Sequence, residues 1–157
     1  MKKIKITDLL IFIVTAELVG ALSALLSGDF KSFYADIIRP PLSPPTWLFP
    51  AVWTVLYALM GISAYIIWQD NGSAIRKAAA LKLYFLQLAV NFSWSVIFFR
   101  FRLFEAAAAA AILLFVLVVL MIIAFKRINN IAAWLNVPYI IWLMFASYLA
   151  VSIYILN

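Results

Sequence analysis

Five runs of roughly twenty mostly apolar residues divide the chain, and they decide what it can fold into. They cover about 9–26, 49–68, 81–99, 106–125 and 131–156. A helix that crosses a bilayer needs about 20 such residues. Of all residues, 68% are hydrophobic and 11% charged, against about 25% charged in an ordinary soluble domain. A globule of this size exposes too much surface to hide that composition from water. The solvent implied is lipid, and the fold expected is an all-α integral membrane protein: one domain over 1–157, a five-helix transmembrane bundle. The last four runs are joined by short links, so those helices run as antiparallel neighbours. The first link, about 27–48, is long.

Several chemistries are set aside by what the chain lacks. It has no cysteine and no histidine, so thiolate nucleophiles, the commonest general base and the commonest metal ligand are missing. No metal site and no required cofactor are expected. The net charge of +6 does not point to nucleic acid, because the basic residues sit in short clusters between apolar runs, a membrane pattern. Lys2, Lys3, Lys5, Arg76, Lys77, Lys82, Lys126 and Arg127 fall on one side; Lys31, Arg39, Arg100 and Arg102 fall on the other. That imbalance places the N-terminus in the cytoplasm and the C-terminus outside. The opening lysines and first apolar run resemble a secretory signal. Asp8 and Glu17 interrupt the run, which favours a retained first helix.

Polar residues inside the apolar runs mark inward faces. Glu17, mid-helix, shares a face with Gly20, Ala21 and Ala24. An acid there costs roughly 2.5–3.5 kcal/mol on insertion scales, so it faces the bundle, either in a structural hydrogen bond or at a ligand. Gln87, Asn91, Trp94, Ser95 and Phe98 form a stripe on the third helix. It is equally compatible with interhelical hydrogen bonding and with a cavity wall. The second helix aligns Trp53, Tyr57, Met60, Gly61 and Ala64, and the fifth aligns Pro138, Trp142, Phe145, Ala146 and Leu149. Rings beside small residues suit a pocket for a flat, apolar ligand, although stripes at this spacing usually pack. Pro138 removes a backbone donor and is expected to kink the fifth helix. The six alanines 106–111 permit tight packing, within the bundle or against a second copy.

The first link contains Pro40, Pro41, Pro44 and Pro45, four of the six prolines. Proline fixes its own torsion and biases its predecessor to extended forms. A stiff, extended strap is expected, anchored by Trp47 and Phe49, either as a lid over the bundle's open end or as a plain rigid connection.

The run "FYADIIRPPLSPPTWLFPAVWTVLYALMG" resembles the start of the TspO/MBR family, the tryptophan-rich sensory and translocator proteins. The segments "LQLAVNFSWSVIFF" and "VPYIIWLMFASYL" are similar to that family's third and fifth spans. The resemblance implies a five-helix membrane protein, often a homodimer, binding porphyrins, sterols and synthetic benzodiazepine-type or isoquinoline ligands in a cavity beneath the first loop. Carried over by position, it makes Trp53 and Trp142 the cavity tryptophans, Asn91 and Trp94 the third-helix contacts, and Ala146 the small residue of the fifth. The ligand-binding set expected is Trp47, Trp53, Tyr57, Gln87, Asn91, Trp94, Phe98, Trp142 and Ala146, with Arg39, Pro40, Pro44 and Pro45 in the lid. Leu42 stands where relatives usually carry tryptophan, and Ala106 where the fourth helix often opens with an aromatic, a change expected to widen the pocket wall or alter a helix contact. The C-terminal "YLAVSIYILN" has no basic residue, which argues against sterol recognition.

Three functions follow from the resemblance. The first is a receptor or sensor that stacks porphyrin on tryptophans, bonds it through Gln87 and Asn91, and meets its propionates with Arg39. The second is a light-dependent porphyrin-degrading enzyme using Trp53 and Trp142 as candidate catalytic residues. The third is a tetrapyrrole transporter. The partners expected are a porphyrin-like small molecule, membrane lipid and a second copy of the chain; the location expected is a bacterial-type cell membrane.

Overall fold

The computed structural model describes residues 4–157, so Lys2 and Lys3, two of the cations that orient the chain by charge, lie outside it. The described residues form helices and connecting turns, with no strand among them. The helices are α1 (Ile6–Ser27), α2 (Phe30–Asp36), α3 (Leu48–Gln69), α4 (Ala74–Ser95), α5 (Phe104–Lys126), α6 (Asn130–Trp134) and α7 (Val137–Leu156), with a π-helical turn, Val96–Arg100, ending α4. Five spans result: α1, α3, α4 with its π turn, α5, and α6 with α7. The protein is an integral membrane protein on this ground. Lipid accounts for the architecture, since backbone N–H and C=O groups in hydrocarbon must be satisfied within their own segment.

Helix α1 packs on α3, while α5 lies against both α4 and α7. The α1–α3 contact depends on two glycines. A Cβ on Gly61 would sit 2.7 Å from the Ile13 Cα and 2.8 Å from the Phe12 carbonyl oxygen, and one on Gly20 would enter the Tyr57 ring. Gly61 thus lets backbone meet backbone and Gly20 makes room for the Tyr57 ring, the close approach that small residues permit in membranes. Helices α3 and α7 stand further apart. Side chains bridge them and leave open space between.

Three sequence expectations need correction. The third span begins at Ala74 rather than near 81. Arg76, Lys77 and Lys82 therefore belong to its first turns; the Lys77 ammonium donates to the Asp70 carbonyl at 2.6 Å. Pro138 does not kink a helix. The chain breaks before it, at 135–136, and Pro138 sits in the first turn of α7, where a missing N–H has no intrahelical acceptor to lose. The break is sealed by polar side chains: Asn136 donates to Ser63 Oγ (2.6 Å) and the Ala132 carbonyl (2.9 Å), and Ser63 Oγ also donates to the Ala132 carbonyl (2.8 Å).

The third correction concerns the strap. The first link opens with the two-turn helix α2 and then folds through a tight turn at Pro41–Leu42. The Ser43 N–H and hydroxyl both donate to the Pro40 carbonyl, at 3.3 and 2.7 Å. Leu42 has φ of 66°, the left-handed region where a side chain costs roughly 1–2 kcal/mol. The extended reading failed because proline also favours position i+1 of a β-turn. External bonds hold the loop down. Tyr148 Oη donates to the Pro41 carbonyl (3.0 Å), Asn157 exchanges two bonds with the Ile38 backbone (2.8 and 3.1 Å), and Arg102 pairs with Asp36 at 2.8 Å.

Gly61→Ala is expected to destabilise the bundle by about 1–3 kcal/mol, because the methyl meets the backbone of α1 and not a movable side chain. Thermal unfolding in detergent checks this; an unchanged midpoint would show that α1 can shift outward freely.

Candidate functional site: an aromatic cavity beneath the first loop

A cavity of about 220 Å³ lies at the end of the bundle that carries the first loop. Four spans and α2 wall it. Helix α1 contributes Glu17, Gly20, Ala21 and Ala24; α3 contributes Phe49, Pro50, Trp53, Thr54 and Tyr57. The end of α4 brings Trp94, Ser95 and Phe99, α7 brings Trp142 and Ala146, and α2 brings Phe30. Small residues on α1 and α7 leave the room, and seven aromatic rings surround it.

The polar stripe of α4 is used to fasten the helices. Tyr57 Oη donates to Asn91 Oδ1 at 3.2 Å, and Asn91 Nδ2 donates to Tyr139 Oη at 2.8 Å. Tyr139 Oη in turn donates to Gln87 Oε1 at 2.8 Å, while Gln87 Nε2 faces Met60 Sδ at 3.6 Å. Gln87, Asn91 and Tyr139 are buried and lie behind the wall; Tyr57 is the one member of the network that lines the cavity. Asn91 both accepts and donates here, which an apolar residue of equal shape cannot do. Tyr139 stood out in the sequence only as part of a matching segment. Its place in the network had no sequence signal beyond a phenol three residues before Trp142.

Of the nine residues expected to bind ligand, Trp53, Tyr57, Trp94, Trp142 and Ala146 line the cavity. Gln87 and Asn91 stand behind it. Trp47 is 67% exposed on the outside of the loop. Phe98 is displaced by the π turn, in which the Phe101 N–H bonds to the Val96 carbonyl, five residues back. The wider turn changes the helical phase, so Phe99 reaches the cavity while Phe98 stacks on Trp94 (5.3 Å between centroids) and packs on Phe33. Helix-period counting cannot see such a turn. Phe30, Phe49, Pro50, Thr54 and Phe99 are wall residues that the sequence reading did not single out for the cavity. The alanines of α5 line none of it. Ala107 and Ala111 pack with Phe33, Phe98 and Ile153 instead, and Ala106 is exposed, away from the wall.

Arg39, Pro40, Pro44 and Pro45 also lie outside the wall. Phe30 of α2 apart, the link reaches the cavity indirectly, through rings. The Arg39 guanidinium lies over Tyr34 (5.4 Å to the centroid), Tyr34 stacks on Phe49 (5.7 Å), and Phe49 meets Trp142 edge-on (5.9 Å). Arg39 Nε also donates to the Tyr34 carbonyl at 2.9 Å. Burial pushes the Tyr34 phenol up to about 12, with the Arg39 charge working against the rise. The unfolded-state value is about 10. The stabilisation from burying the neutral phenol is therefore complete below pH ~10 and is lost as pH rises towards 12. The Tyr34 phenol thus stays neutral through the physiological range.

This geometry defines a five-helix integral membrane protein with a ring-lined cavity at the end that carries the first loop. The TspO/MBR family model matches residues 11–156, and the chain belongs to that family. It is 34% identical over 153 residues to the tryptophan-rich protein TspO of Archaeoglobus fulgidus, covering 92% of this chain and 96% of that protein. It is 34% identical to the translocator protein of Ovis aries (79% of this chain, 74% of the relative). To a tryptophan-rich sensory protein of Cereibacter sphaeroides it is 33% identical (85% and 80%). Membership of this family supports a membrane sensor or receptor role.

Asn91→Leu and Tyr139→Phe are each expected to destabilise the protein, with a coupling between them of about 0.6–1.7 kcal/mol, the range for hydrogen bonds between membrane helices. A double-mutant cycle on unfolding free energy in detergent measures it. Strict additivity would mean that the network does not act as a unit.

Proposed function

We propose that this protein is a receptor or sensor that binds porphyrins in the cavity beneath the first loop. Other flat apolar ligands, of the isoquinoline or benzodiazepine type, fit the same description. The observation that carries the proposal is the wall: seven rings, small residues on two opposing helices, and few polar groups. Such a lining holds flat π-systems by stacking and by exclusion of water. The volume sets a condition. About 220 Å³ is below the ~300–1,000 Å³ of pockets that enclose drug-sized ligands. A tetrapyrrole enters only if the loop lifts, and the ring relay from Arg39 to Trp142 is the part that must separate. Arg39, exposed on the loop, is placed to meet a propionate.

The light-dependent enzyme is the second reading, favoured by Trp53 and Trp142 both standing at the wall. In it these two indoles lie against the excited porphyrin, with dioxygen as the oxidant that its degradation requires. Transport across the membrane is the third, and in this reading the bundle would have to open at the end opposite the loop as well. The proposal also includes a homodimer in a bacterial-type cell membrane with a cytoplasmic N-terminus, and mass measurement in detergent tests the dimer.

Protoporphyrin IX is expected to quench tryptophan emission saturably in the dark, with affinity falling about tenfold or more in Trp53→Phe/Trp142→Phe. Linear quenching in both proteins would mean partition into detergent and would overturn the binding site. Illumination of the complex at porphyrin concentrations that saturate each protein separates the first two readings: porphyrin loss in the wild type that disappears in the saturated double variant marks the enzyme.

A further inference from the structure

Glu17 is not accounted for by stacking. It sits near the middle of α1, where an acid costs roughly 2.5–3.5 kcal/mol to insert. Such a residue ordinarily faces the bundle interior and finds a partner. Glu17 does face the interior, but among the described residues it makes neither a hydrogen bond nor an ion pair. Tyr57, the member of the polar network that shares the cavity wall with Glu17, gives its hydroxyl proton to Asn91 Oδ1. Ser23, one turn and a half further along α1, donates to the Phe92 carbonyl.

The surroundings of Glu17 are one-sided in charge. Among the described residues it is the one acidic residue in the cavity wall, and no lysine or arginine stands there. Gly20, Ala21 and Ala24 keep the space beside it clear, and Phe49, Trp53, Tyr57, Trp94 and Trp142 stand around that space. An aromatic ring attracts a cation to its face, most strongly where water is excluded. A carboxylate in a low-dielectric pocket attracts it further and is itself relieved of an uncompensated charge. Rings and a single acid together make a pocket matched to an ammonium carried on a flat apolar body.

We propose that Glu17 forms a subsite for a protonated nitrogen, so that the cavity selects flat aromatic ligands bearing an amine over neutral ligands of the same shape. The inference rests on the cavity being the ligand site and adds the chemical class that this site prefers.

The test uses the full chain in detergent with two probes, aminomethyl-anthracene and hydroxymethyl-anthracene. They share one flat tricyclic body and differ as ammonium against hydroxyl. Energy transfer from tryptophan to anthracene reports binding. The wild type is expected to bind the amine about tenfold tighter than the alcohol. Glu17→Gln keeps the side-chain size, and is expected to bring the two probes within about twofold of each other while affinity for the alcohol holds. Retained alcohol binding also shows that the variant is folded. If E17Q keeps the preference for the amine, or weakens both probes equally, Glu17 is a structural residue and the subsite is overturned. Equal binding of both probes by the wild type overturns it too. If protoporphyrin IX and both anthracenes all fail to saturate the wild type, the cavity reading itself is lost and the subsite with it.

Discussion

Everything at the loop end of the bundle depends on how four side chains satisfy one another inside the hydrocarbon region. Tyr57, Asn91, Tyr139 and Gln87 connect α3, α4 and α7 through three hydrogen bonds. In lipid there is no hydrophobic drive to bring helices together, and polar contacts and close packing must do it. The network fixes α3 and α7 at a separation that backbone packing alone does not set. The cavity is the space left between them. Because the amides are consumed by this task, the wall they support is almost purely aromatic, and the acid on α1 is left as its strongest polar feature.

The closure above the cavity follows a different logic. The loop is not held by apolar burial alone. It is pinned from outside by Tyr148, Asn157 and Arg102, and from inside by the stack of Tyr34 on Phe49. Leu42 at positive φ places backbone strain in the turn between those attachments, as segments that move or switch often do. Bonds at the rim are exchangeable with water, whereas the network below is not.

Much of this was legible in the sequence, for reasons that can be named. The five spans were readable because an apolar run of bilayer length suits little besides a membrane crossing. Trp53, Tyr57, Trp94, Trp142 and Ala146 were readable because helix periodicity places them on inward faces and the family resemblance selects the same faces. The polar stripe of α4 could be located but not interpreted. Whether an amide bonds a ligand or a neighbouring helix depends on where Tyr57 and Tyr139 place their hydroxyls, and no pattern along one helix encodes that. The start of α4 was missed because charged residues at a helix end look like loop in a hydropathy reading. The loop was misread because proline serves extended chain and tight turn equally well.

The π turn at Val96–Arg100 has a consequence for how such a cavity can diversify. It is the difference between Phe98 and Phe99 at the wall, and it comes from a change of helical phase with every wall residue on the other helices left in place. A single-residue deletion in this stretch would restore α-helical phase and rotate a different side chain inward. Homologous chains can therefore differ in the shape of their binding site by a shift of helical phase in this one stretch, with the wall residues of the other helices unchanged. Comparing such sites column by column would pair residues that never occupy the same place in space.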